Sequence, residues 1–184
     1  MDYQTIAAQR AILERAVAGR IVDTVRLRDH TALYLGFEGD YALKLACIPD
    51  MPYLHALEKR FIPHRNAQDW HQAKFAGKRI TGVSLTPGDR VLTFSSESGC
   101  SLVFEMTGRN VNLFVVSPDG TILGLTRQVA DRECAFRSLR PGAQYMPPPP
   151  RGFPAPETLG PGAITAFIGR AEGRLADALA ALLG

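Results

Sequence analysis

Apolar residues return at helical spacing only near the two ends of this 184-residue chain; between them they come in short runs broken by turn residues. Over residues 3–18, Ile6, Ile12, Leu13, Ala16 and Val17 recur near every third or fourth position, which predicts an amphipathic helix stopped by Gly19. Three strands are expected next: Ile21 to Leu27, Ala32 to Phe37 and Tyr41 to Cys47, the last two joined across Glu38-Gly39-Asp40. Pro49 and Pro52 are expected to end regular pairing. A short helix is expected from Asp69 to Ala76, with Asp69 near its cap and Gly77 just past its end.

From residue 79 to 127 the runs are strand-like and the breaks between them are strong. Arg79 to Leu85, Val91 to Ser95, Ser101 to Met106, Asn112 to Val116 and Thr121 to Leu125 are separated by signals such as Pro87-Gly88, Ser98-Gly99 and Pro118-Asp119-Gly120. Short, closely spaced strands of this kind form an antiparallel meander. With the first three strands they supply enough sheet for two packed layers, so the expected fold is α+β: an antiparallel two-layer sandwich with helices at its ends. Residues 1–146 are read as this domain, the proline- and glycine-rich stretch 147–162 as an extended linker, and 163–184 as an amphipathic helix with Ile164, Phe167, Ile168, Leu175, Leu179 and Leu182 on one stripe.

Composition narrows the class. With 46% hydrophobic and 21% charged residues the chain has the balance of one ordinary globular domain. No apolar run approaches the roughly 20 residues that span a bilayer, so no membrane association is expected, and Met1-Asp2-Tyr3-Gln4 opens no secretory signal. Three widely spaced cysteines, Cys47, Cys100 and Cys134, fit a reducing compartment, and a cytoplasmic protein is expected. The net charge of +3 hides an uneven distribution. Between Lys59 and Arg90 seven cations, including Lys74, Lys78 and Arg79, face only Asp69 and Asp89, a local net of +5; a second basic segment runs from Arg127 to Arg151. Either solvated surface or a nucleic-acid contact produces such runs.

Catalytic signatures are missing: the sequence has no GxSxG, HExxH, CxxC or P-loop. His55, His64 and His71 fall in what reads as one loop-and-helix region, without the i, i+4 spacing of a helical metal site, and His30 stands apart. Cys47 and Cys100 read as small core residues. No metal, no cofactor and no enzymatic activity are expected. Two local features remain. Gly88-Asp89-Arg90 enters the strand at Val91, where an arginine can make paired hydrogen bonds to a phosphate or a guanine edge; by pattern alone, a turn aspartate and a surface arginine is the simpler reading. Glu105-Met106-Thr107-Gly108-Arg109-Asn110-Val111-Asn112 interrupts two apolar strands and reads as a hairpin corner with local asparagine hydrogen bonds.

Taken in order, these features carry a resemblance. Gly77-Lys78-Arg79-Ile80, Gly88-Asp89-Arg90, Phe104 through Leu113, Pro118-Asp119-Gly120-Thr121-Ile122, and Arg140-Pro141-Gly142-Ala143-Gln144-Tyr145 before Pro147-Pro148 together resemble the N-terminal domain of the NFACT family over residues 1 to 150. These are the proteins long labelled fibronectin-binding protein A and now understood as ribosome quality control factors. The resemblance implies a non-catalytic role: binding large ribosomal subunits obstructed by peptidyl-tRNA and bringing in further tRNA, so that a C-terminal alanine tail is added without mRNA. It implies tRNA contact by Asp89 and Arg90, with Glu105, Gly108, Arg109 and Asn112 shaping the same face and Lys74, Lys78 and Arg79 as a supporting basic patch. Asn110 and Val111 depart from the family's usual His or Tyr then Ser, while Asn112 matches.

The family's fold is similar to the N-terminal domain of formamidopyrimidine-DNA glycosylases, whose catalytic N-terminal proline and following glutamate are replaced here by Met1-Asp2. A catalytically dead glycosylase-like nucleic-acid module is therefore one alternative, and a surface adhesin whose partner is fibronectin is another. Full family members continue into a helix-hairpin-helix domain, a coiled coil and a second RNA-binding domain, so a fragment of a longer protein is expected rather than a naturally short relative.

Overall fold

The computed structural model of the chain describes residues 3–65, 67–107, 110–127, 137–149, 160 and 162. The helix expected over 163–184 and most of the linker lie outside them. The chain divides into two compact units, Met1–Thr86 with Arg90–Pro147, and Pro87–Asp89 with Pro148–Gly184. In the second unit the described residues make no regular element beyond a turn in which Gly88 takes φ +72°. The first unit holds the sheet.

It opens with helix α1 (Tyr3–Val17), which buries Ile6, Leu13 and Val17 on one stripe and leaves Ile12 exposed. Gly19, at φ +81°, ends it in the left-handed region that a residue with a Cβ enters only at a cost. Ten strands follow: β1 (Ile21–Arg28), β2 (Ala32–Phe37), β3 (Tyr41–Ala46), β4 (Tyr53–Glu58), β5 (Ala67–Asp69), β6 (Lys78–Leu85), β7 (Val91–Ser96), β8 (Ser101–Glu105), β9 (Asn112–Val116) and β10 (Ile122–Leu125). Every pairing is antiparallel, in the order β10-β9-β8-β7-β6-β1-β2-β3-β4, with β5 added beside β1. The strand register between the two halves is short among the described residues, Ile21↔Arg79 and Val22↔Lys78. They nevertheless share one core: Leu33, Leu35, Phe37, Leu43 and Leu45 from the first half cluster with Leu92, Phe94, Leu102, Phe104, Leu113 and Val115 from the second, and with the buried stripe of α1.

β2 and β9 are buried at every position. β2 sends alternate residues Ala32 and Tyr34 into a small second cluster with Ala42 and Ile62. β9 sends Phe114 and Val116 into another, with Val91, Val103, Ile122 and Leu139, covered by Ala143 and Tyr145. The segment 139–145 is therefore a lid on the outer face of the second half. It also occupies the free edge of β10, where Thr121 bridges Gln144 and Ile122 N–H donates to Ala143 C=O at 2.8 Å.

Three expectations need correction. Pairing does not end at Pro49 and Pro52: Tyr53–Glu58 matches β3 over six residue pairs, because a flanking proline is harmless at the start of an edge strand. Asp69 caps no helix; it closes β5, paired with Arg26 on β1 at 3.4 Å, and helix α2 is only Gln72–Phe75, preceded by His71 at φ +46°. His55 lies on β4, away from the loop and helix of His64 and His71. The His71 ring fills the space above Gly124 of β10, where a Cβ would stand 1.7 Å from its Nε2. Burial, and then the nearby Lys74 ammonium, lower its pKa below the usual histidine value. Among the described residues no helix is long and apolar enough to cross a membrane.

Candidate nucleic-acid interface

Strand register decides which motifs meet. Val91 pairs with Glu105 across β7 and β8, and Glu105 pairs with Asn112 across β8 and β9. One row therefore holds the start of β7, the end of β8 and the start of β9. Arg90 precedes that row, and its C=O accepts from Met106 N–H at 2.8 Å. The loop Pro87–Arg90 is closed by Thr86 N–H donating to Val91 C=O at 2.9 Å. Asp89 is buried and Arg90 half-buried.

Glu105 is 0% exposed and cannot meet a partner directly. The Arg137 guanidinium grips both carboxylate oxygens, each at 2.6 Å, and Tyr145 Oη donates to Oε1 at 2.8 Å. Arg137 also donates to Met146 C=O at 2.9 Å. A carboxylate taken wholly out of water needs such a set, since an isolated buried charge would cost several kcal/mol. Glu105 at the end of β8, Arg137, and Tyr145 of the Arg140–Tyr145 run thus form one buried clamp, which fixes the lid over β7–β9.

Asn112, also 0% exposed, is a second internal tie. Its Oδ1 accepts from Leu113 N–H at 3.0 Å, Thr126 Oγ1 at 2.8 Å and Arg127 N–H at 3.1 Å, while its Nδ2 donates to Arg127 C=O at 2.7 Å. The amide thereby imitates one more strand partner for the chain leaving β10 and holds exposed Arg127 in place, within 3.5 Å of exposed Asn110. Gly108 and Arg109 lie outside the described residues.

The expected basic patch is divided by the fold. Lys78 and Arg79 start β6, whereas Arg90 follows its far end, roughly 20 Å away at the usual strand rise. Arg79 is held locally by Gly19 C=O and by Glu97, whose Oε1 accepts from its backbone N–H at 3.1 Å. Lys74 is exposed on α2. Contiguity in sequence suggested one patch, but an eight-residue strand carries its two ends apart.

Sequence reasoning missed Arg137 and Arg127. A carboxylate at the end of the apolar run Leu102-Val103-Phe104 was a signal that a buried cation must exist, but not of which one. Among the described residues no three His, Cys, Asp or Glu are gathered as metal ligands would be. Cys47 is buried, and desolvation pushes its thiol up to about 12, far from a reactive thiolate.

This antiparallel sheet with one helix at its start is the architecture of a known class. Three solved structures share it: the N-terminal domain of fibronectin-binding protein PavA from Streptococcus pneumoniae (18% identity, TM-score 0.76, 97% of this chain and 75% of that one), the N-terminal part of the fibronectin/fibrinogen-binding protein from Streptococcus suis (18%, 0.70, 90% and 66%), and the fibrinogen-binding protein from Staphylococcus aureus (16%, 0.76, 95% and 66%). At such identities the likeness is one of fold. This chain spans about two thirds of the length of the latter two. No curated protein matches the sequence. The family described as NFACT N-terminal and middle domains matches residues 2–183, and the chain belongs to the NFACT family.

Proposed function

We propose that this domain is a non-catalytic RNA-binding module of the cytoplasm that holds tRNA on obstructed large ribosomal subunits during C-terminal alanine tailing. The observation that carries the reading is the shared row: β7, β8 and β9 deliver Arg90, the Glu105 clamp and the Asn110–Asn112 corner to one end of one sheet half. Buried Glu105 and Asn112 act there as positioning residues, and Arg90 and Arg127 supply the charge. Binding carried by phosphate contacts weakens steeply with salt. Arg90→Ala is expected to weaken tRNA association of this chain and flatten its salt dependence, measured by filter binding between low and physiological ionic strength. In cells, a double Asp89→Ala, Arg90→Ala variant that still tails stalled chains at the wild-type level would sink the assignment.

The second reading is an adhesin for fibronectin, favoured by the names of the similar structures. Cell fractionation separates the two, since ribosomal pellets contain the first kind and cell-surface extracts the second. A third reading, a catalytically dead glycosylase-like nucleic-acid module, predicts no borohydride-trapped adduct on an abasic duplex, because Met1-Asp2 stands where the catalytic proline and glutamate would be.

A further inference from the structure

A cavity of about 210 Å³ opens at the end of the sheet beside Arg127, lined by His30, Thr31, Cys47, Val111, Thr126 and Arg127. Its floor comes from buried side chains of both sheet halves; Cys47 Sγ and Thr126 Oγ1 stand 3.9 Å apart in it. Its rim is exposed and carries one imidazole and one guanidinium.

The rim residue His30 is held at a conformational cost. It follows Asp29 in the turn between β1 and β2, closed by Thr31 N–H donating to Arg28 C=O at 3.1 Å, and both residues take positive φ, 50° and 54°. Turns with two such residues favour asparagine or aspartate and then glycine. Asp29 fits that preference, but a glycine at 30 would relax the turn. Strained residues persist where the surroundings or a function retain them. Opposite, the Asn112 amide grips both backbone groups of Arg127 and fixes its position at the rim.

We propose that this cavity receives one unpaired nucleobase of a bound RNA, stacked on the His30 ring, with its phosphate met by Arg127. The volume is below the roughly 300–1,000 Å³ of sites for drug-sized ligands and suits a single planar ring system. Histidine rings and arginine planes are among the groups on which splayed-out bases stack. The inference rests on the RNA-binding reading and adds a specific subsite to it.

The test uses this chain with a fluorescent unpaired octaribonucleotide and with intact tRNA, followed by anisotropy. His30→Gly relaxes the turn, so it is expected to melt no lower than wild type, and to bind the octamer about tenfold more weakly. Thr31→Trp, which fills the mouth without removing a cation, is expected to do the same. Arg127→Ala weakens binding and lowers its salt dependence. Wild-type octamer affinity in both His30→Gly and Thr31→Trp, alongside loss of tRNA binding in Arg90→Ala, overturns the cavity proposal and leaves the RNA-binding reading intact. No RNA binding by the wild-type chain overturns both. A His30→Gly chain less stable than wild type shows that the imidazole serves the turn, and overturns the proposal.

Discussion

The two ends of β6 carry charge in opposite ways. At its start, Arg79 and Glu97 are about half exposed (49% and 51%), 3.9 Å apart, and stand in water that screens them. Beyond its other end, Arg137 and Glu105 are 6% and 0% exposed and lock together at 2.6 Å. The first pair decorates a surface, while the second determines where a whole segment of chain lies. The contrast teaches that counting cations along the sequence locates charge but not its use. Burial decides whether an ionic group is a screened ornament or a structural tie.

Breaking the buried tie should have the largest effect. Glu105→Ala takes the carboxylate away from the desolvated Arg137 guanidinium, so unfolding in urea is expected to show a loss of ~3–5 kcal/mol. A double Glu105→Leu, Arg137→Met chain should recover most of it, because two apolar residues leave no orphan charge; a double variant as unstable as the single one contradicts the clamp. Asn112→Ala comes next. It removes the partners of the Arg127 N–H and C=O and one partner of the Thr126 hydroxyl, for an expected ~2–3 kcal/mol, and faster amide exchange should follow at Arg127. At the other end of β6, Lys78→Ala and Arg79→Ala should each cost under ~1 kcal/mol and leave tRNA affinity close to wild type. A loss equal to that of Arg90→Ala would mean that both ends serve one surface.

The smallest expected effect is a pH dependence at His71. Burial lowers its pKa in the folded chain, so the unfolded chain binds more protons as the pH falls past the ordinary histidine value. Stability contributed by neutral His71 is thus complete above that value and is lost as the pH falls through the depressed folded pKa. Thermal melts of wild type and His71→Gln between about pH 7.5 and 5.5, roughly one unit either side of the ordinary value, should diverge on the acid side, with wild type falling faster.

Much of the fold could be read before any coordinates. The strands β1, β2, β3 and β6 to β10 stand within a residue or two of their expected limits, because alternation and glycine or proline breaks are local signals that the fold respects. β4 and β5 could not be read. Tyr-Leu-His-Ala-Leu-Glu has no strand composition, and Ala-Gln-Asp is too short to carry one; each is a strand because a partner lies beside it. The candidate site divided the same way. Its motifs could be named, yet Glu105 and Asn112, which the resemblance placed on the tRNA-binding face, are buried internal ties.

What the sequence by itself determined is the order of most elements and the resemblance to its family. Helical periodicity and turn chemistry act on residues wherever they stand, so those elements could be derived from one dimension. Only the tertiary structure decided that Arg137 answers Glu105 across 32 positions, that the basic run is divided between the ends of β6, and that His30 and Arg127 share a rim. Those are distances in space, set by strand register and by the packing of two sheet halves, and no local property of either partner encodes them.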